Sequence, residues 1–399
     1  MVSIYLIFSF VFYYYFGIDR LYLSFLGYFL AIFFVLIKTI KKPIPFVTKL
    51  GLISFSLFLL TLINSGFDIF TVLFSYRLYF GPLLLLMFFI YFPKIISRQF
   101  LLFLSLILSL LTILERTLLS INPDIVVSNF PQYVYQDSLS EMFEFTFNTF
   151  YTTSFFSGVL SFGGSRSITG VCLLSLFILM VIIRAPLFYR LITIFASLIA
   201  GSATSAFIFF VISTIYFLKK SLLALYLSIN FNKLKINRLL IVIGFLIFLF
   251  LALNNLTDNY KGFVNFKFRY FFMILNLKID IFRDYLANVN FLGLLFGGAI
   301  ELQPSAEQIK GLGALHGDFI LIDMLARTGL ASILVYSYLL LKIKVNYCRY
   351  PLLIMLIGSI HYPVLFSGPG QLIFAIIASA GLLEINLKQS NLNKLNFSD

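Results

Sequence analysis

The chain has no tryptophan, only two histidines and two cysteines, and charged residues make up 11% of its 399 positions. Each shortage excludes something. Cys172 falls inside an apolar run and Cys348 in a basic loop, so the two sit at different depths and offer no disulfide framework. Scattered histidines and acids give no cluster of metal ligands. There is no Walker motif and no glycine-rich dinucleotide turn, so no nucleotide is expected to drive the protein. A soluble domain is about half apolar and a quarter charged. Here 61% of residues are hydrophobic and the mean hydropathy is +1.01, which points to a polytopic membrane protein.

What is present is a series of long apolar runs. Crossing a ~30 Å hydrocarbon core takes about 20 apolar residues per helix. Runs of that kind lie near 2–18, 21–37, 46–63, 71–92, 99–119, 166–183, 187–201, 204–218, 239–254, 318–340, 351–367 and 371–386. The pattern predicts an all-α integral membrane protein of about twelve transmembrane helices, forming a single polytopic domain over 1–399. The N-terminal run lacks a basic n-region and reads as a first helix rather than a signal peptide. The seventh and eighth helices are expected to meet at the small polar turn Gly201–Ser205. Phenylalanine (51) and tyrosine (23) are abundant, and are read as lipid-facing surface rather than as an aromatic binding site.

The basic residues set the topology. With a cytoplasmic N-terminus, 18 of the 29 Lys and Arg fall on the inside. They are Lys38, Lys41, Lys42, Lys49, Lys94, Arg98, Arg184, Arg190, Lys219, Lys220, Lys233, Lys235, Arg238, Lys342, Lys344, Arg349, Lys388 and Lys394. This is the positive-inside bias, and it explains the net charge of +13 without nucleic acid. Both termini are then cytoplasmic. Two outer loops are predicted: 120–165, and a large basic one, 255–317, between the ninth and tenth helices.

Eleven basic residues are not explained this way. Arg20 reads as solvated in a short loop. Arg77 lies inside a span, where an ionisable residue is costly and usually faces a cavity or a partner. Arg116 adjoins Glu115, and Arg327 follows Asp323 by one helical turn, so both have local partners to hand. Arg166 follows Gly163-Gly164-Ser165 at a helix entrance, where backbone donors and a guanidinium could share one anion. Lys261, Lys267, Arg269, Lys278, Arg283 and Lys310 all lie in the large outer loop, which closes on His316-Gly317-Asp318. Arginine's planar fork suits phosphate oxygens. His316 is a candidate general base with Asp318 to orient it, or else an interfacial cap.

The order of these features resembles the O-antigen polymerase (Wzy) and O-antigen ligase superfamily. The resemblance runs from Arg166 to the C-terminus. It is carried by Arg166–Gly170, the turn Gly201–Ser205, Arg269, Asn290–Gly298, His316–Ile320, Gly329–Ala331 and His361–Pro363. The chain departs from the pattern at Ala203, Gly317 and Arg327, where the family often has arginine, asparagine and an acidic residue. The resemblance implies a GT-C-like, metal-independent and inverting membrane glycosyltransferase of the bacterial inner membrane. Both donor and acceptor would be oligosaccharide repeats on undecaprenyl pyrophosphate. Arg166, Arg269, Arg77 and Lys267 would hold the pyrophosphate, His316 would activate the acceptor hydroxyl, and Asp318 would support it. No cofactor is implied. The alternatives are a ligase using a lipid A–core acceptor, and a flippase for the same lipid. A chain-length regulator and a flippase are implied as partners alongside membrane lipids.

Overall fold

A computed structural model describes residues 2–15, 20–131, 133, 158–202, 204–210, 212–213, 279–298, 320–343, 346–385 and 387. Among them every regular element is helical. The elements are α1 (Val2–Val11), α2 (Arg20–Lys41), α3 (Pro45–Asn64), α4 (Ile69–Tyr79), α5 (Gly81–Tyr91), α6 (Arg98–Ile121), α7 (Pro123–Asn129), α8 (Arg166–Ile182) and α9 (Leu187–Ile199). After these come α10 (Phe291–Phe296), α11 (Ile320–Lys342), α12 (Asn346–His361) and α13 (Gly368–Leu382). Four stretches are long and apolar enough to cross a membrane: Leu23–Lys41, Pro45–Asn64, Arg98–Ile121 and Ile322–Lys342. The bent pair α4–α5 makes a fifth if it is one span. Arg166–Ile182, Leu187–Ile199, Cys348–Ile360 and Gly368–Leu382 are apolar but shorter. The run predicted at 239–254 lies outside the described residues.

The bundle is built around α13, in which every residue from Gly368 to Gly381 is buried. It packs against α1, α5, α8 and α12. On one side α2 lies over α1 and α5; on the other, α6, α8 and α9 pack together. The outer helices α2 and α3 bury little of their surface within the protein and turn residues such as Phe29, Phe33, Leu52 and Phe55 outward. A helix that faces lipid needs only an apolar surface. A central helix needs partners for every polar atom, and α13 has them: Ser379 donates to its own chain at Ala375 and to the Leu86 carbonyl of α5.

Several expectations change. The run 71–92 is not one straight helix, because α4 and α5 meet at 58°. Pro82 has no N–H for the Leu78 carbonyl, so the ladder cannot continue through it. The first helix stops at Val11 and passes into a 3-10 turn over residues 13–15. Cys348 is not in a loop but buried in α12, and both cysteines are free. The aromatic residues also divide. Most of the exposed aromatic residues described are phenylalanines, while Tyr13, Tyr28, Tyr79, Tyr133 and Tyr336 are buried. A phenol needs a hydrogen-bond partner that lipid does not supply.

The described part of the large loop is not a free polar loop. Residues 281–288 are helical, and α10 is docked on α3 and α11. Gly297 lies against the Arg327–Thr328 backbone, and Gly329 against the Leu295 carbonyl. A Cβ on Gly329 would stand 2.3 Å from that oxygen, and both glycines hold φ of +73°. Only glycine takes this conformation at ψ 177°, and it kinks α11 there. Thr61 and Asn64 of α3 complete the dock by donating to the Phe296 and Gly297 carbonyls, at 2.6 and 3.1 Å.

Candidate functional site

The ends of the bundle differ in charge chemistry. At one end Lys38 lies over the Phe92 ring, Arg98 donates to the Arg184 carbonyl and Arg349 to the Ile343 carbonyl. These are residues assigned to the positive-inside set. Arg116, Arg166 and Arg327 lie in the halves of α6, α8 and α11 remote from Arg98, Arg184 and Lys342, and Arg77 shares the Phe74 ring with Arg327. All four therefore gather toward the end where α6 finishes and α8 and α11 begin.

They form two centres. In the first, the Glu115 carboxylate of α6 accepts from Tyr15 Oη (2.6 Å), Tyr133 Oη (2.8 Å) and the Ser161 backbone N–H (2.8 Å). Tyr133 in turn accepts from the Leu160 N–H, and Thr169 donates to the Leu160 carbonyl. Arg116, fully buried, donates to the Gly158 carbonyl at 3.0 Å. Gly158 lies directly against the Arg166 side chain. Glu115 and Arg116 thus fix the turn 158–165, and the turn fixes where Arg166 starts α8.

The second centre lies at the helix break. Arg77 Nη1 donates to Tyr13 Oη (3.0 Å) and Ser24 Oγ (3.3 Å). Its guanidinium also faces the rings of Phe74 (4.8 Å) and Phe25 (5.5 Å). Arg327 sits near the same Phe74 ring, at 5.7 Å, and is buried with Asp323 on α11. Breaking α4 leaves its last carbonyls without helical partners. Gln371 Nε2 donates to the Arg77 and Leu78 carbonyls (3.2 and 3.3 Å), and Tyr336 Oη to the Tyr79 carbonyl (2.6 Å). The Gln371 oxygen accepts from Tyr28. A side chain on Gly81 would collide with both Gln371 and Tyr28. Between these groups lies a cavity of about 130 Å³, lined by Tyr13, Tyr14, Ser24, Tyr28, Arg77 and Gln371 and closed by Phe10, Leu78 and Phe366.

No family model matches the chain, and no curated protein or solved structure matches it. The chemistry of the site therefore rests on its own residues.

Of the residues singled out from sequence, Arg77 faces the cavity and Arg166 belongs to the first centre. The structure does not bring these two into contact, although Tyr14 links their surroundings: its ring packs on Gly164 and lines the cavity. His316, Asp318, Arg269 and Lys267 lie outside the described residues. Tyr13, Tyr14, Ser24, Tyr28, Gln371 and the Glu115 network went unnoticed in the sequence. The available signal was a Gln and a Tyr triplet interrupting apolar runs, because polar groups in a span mark a buried partner. A central arginine costs about 2.5–3.5 kcal/mol on insertion scales, so each of the four calls for partners or a cavity.

Proposed function

We propose that the protein is a membrane glycosyltransferase that joins oligosaccharide repeats carried on undecaprenyl pyrophosphate, at the outer face of a bacterial inner membrane. The observation that carries this reading is the dock of α10. The segment that leads toward Arg269 on one side and His316 on the other is pinned to the α11 kink beside Arg327. Arg327, beside the kink, is buried, and this dock is the described part of the segment between Arg269 and His316. In this reading the chain crosses the membrane twelve times in a GT-C-like arrangement, with both termini cytoplasmic.

The chemistry follows from the residue types. Arg269, with Lys267 and Arg166, holds the donor pyrophosphate and stabilises the negative charge that grows on it as the glycosidic bond breaks. His316 takes the proton of the attacking sugar hydroxyl, and Asp318 orients its ring. Attack from the face opposite the leaving pyrophosphate inverts the anomeric centre.

A carrier that moves the same lipid is the second reading, favoured by the broken α4–α5 helix, since transporters bind substrate at discontinuous helices. Against it, the cavity at the break is small and confined to one end. A deletion strain separates the readings on one glycan ladder gel. A polymerase leaves single repeats on lipid A–core, and a ligase leaves polymer on the carrier lipid with none on the surface. A flippase leaves no repeat outside the membrane. Reintroduced Arg269→Ala or His316→Ala protein is expected to reach the membrane and give no long chains. Normal ladders from both variants would sink the site assignment.

A further inference from the structure

We propose that the cavity between α1, α2, α4 and α13 is a binding site for a phosphate-type oxyanion, held by Arg77 with the hydroxyls of Tyr13 and Ser24. The inference deepens the transferase reading and rests on it only for the anion's source, a second lipid pyrophosphate besides the one at Arg269.

Charge is the first argument. A guanidinium stays protonated and is expensive to hold among apolar helices without a counter-charge. Arg77's partners are all neutral: the Tyr13 and Ser24 hydroxyls and the Phe25 and Phe74 rings. The α4 carbonyls that could have compensated it are already taken by Gln371. An anion in the adjoining cavity supplies the missing charge.

Size is the second. A cavity of about 130 Å³ has room for a small oxyanion together with water. The walls supply donors rather than acceptors suited to a cation. Three tyrosines and a serine line the space, and among the described residues no carboxylate does.

Rigidity is the third. Gln371 ties the broken end of α4 to α13 and to Tyr28 of α2, so Arg77 and the hydroxyls are held before any ligand arrives. Preorganised donors of this kind bind more tightly because less is ordered on binding. The cavity lies toward the loop end of the bundle, as an anion on a lipid headgroup requires. α2, which bounds it, turns Phe25 and Phe29 outward beside it, so an attached apolar tail can leave toward lipid.

The test uses the full-length protein purified in neutral detergent, with binding read by thermal shift and by direct titration. The probes are farnesyl diphosphate, inorganic pyrophosphate and farnesol. Farnesyl diphosphate is expected to bind and farnesol is not. Arg77→Gln should weaken diphosphate binding about tenfold or more, the scale of one charge-assisted hydrogen bond. Tyr13→Phe, which keeps the ring, should weaken it about threefold. Lys94→Gln, exposed at the other end, should leave it unchanged. Tighter binding of farnesyl diphosphate than of pyrophosphate identifies a lipid source; equal binding identifies the free anion, and either supports the site. Equal binding of farnesol, no diphosphate binding, or wild-type affinity in both Arg77→Gln and Tyr13→Phe overturns it. The ladder gel is read separately. Diphosphate binding by a protein whose loss leaves glycan chains intact would remove the transferase reading and keep this site, while a shortened ladder without binding does the reverse.

Discussion

Arg116 and Arg77 are both guanidiniums set into apolar helices toward the same end of the bundle, and they are housed in opposite ways. Arg116 is completely buried, next in sequence to a carboxylate whose oxygens take three hydrogen bonds, and its own donor goes to a backbone carbonyl. Arg77 is half-buried, has only neutral partners among the described residues and lines a cavity. The difference teaches how to tell a structural ion from a binding one in a membrane protein. A structural charge is closed in by a network that answers it. A binding charge is left open, and the surrounding structure spends its hydrogen bonds on holding the helix rather than on neutralising the side chain.

That contrast can be broken by substitution, with thermal unfolding of the purified protein as the measurement. The largest effect is expected for Glu115→Ala. It leaves three donors without their acceptor, and each stranded buried donor costs about 1–3 kcal/mol. A Glu115→Ala protein as stable as the wild type would mean that the first centre is not a closed network. Gln371→Leu comes next. It removes the donor to the Arg77, Leu78 and Phe366 carbonyls, and stranded buried polar groups cost about 1–3 kcal/mol each. A total near 2–3 kcal/mol is expected if helix ends relax partly. A loss near zero would show that the break in α4–α5 does not depend on α13. The smallest effect is expected for Arg77→Met, which fills similar volume without the charge. Its stability should change by no more than about 1 kcal/mol, because replacing a poorly compensated buried ion by an apolar side chain is often neutral or favourable. A large destabilisation would place Arg77 in the same structural class as Arg116.

Much of the fold was legible because a helix in a membrane must satisfy its own backbone and present an apolar surface. The runs at 21–37, 46–63 and 99–119 reappear as α2, α3 and α6 with small shifts at their ends. The turn at Gly201 was legible too: α9 ends at Ile199, Gly201 takes φ of +64°, and helix resumes at residue 204. The break at Phe80–Gly81–Pro82 was overlooked because uniform hydropathy hid the one proline that decides it. Arg77 and Arg166 were found as charges that topology did not explain. Their partners were not found, since Tyr28 meets Gln371 across 343 positions and Tyr15 meets Glu115 across 100.

The sequence by itself determined that this is a helical membrane protein, which ends of its helices carry the surplus of basic residues, and which arginines stand outside that surplus. Hydropathy and charge act locally along the chain, so they can be read there. Only the tertiary structure decided that Arg116 is enclosed while Arg77 opens on a cavity, and that α10 is fastened to the kink in α11. Those outcomes depend on which polar atom of a distant helix arrives within hydrogen-bond reach, and in an apolar bundle that is set by packing rather than by any local pattern.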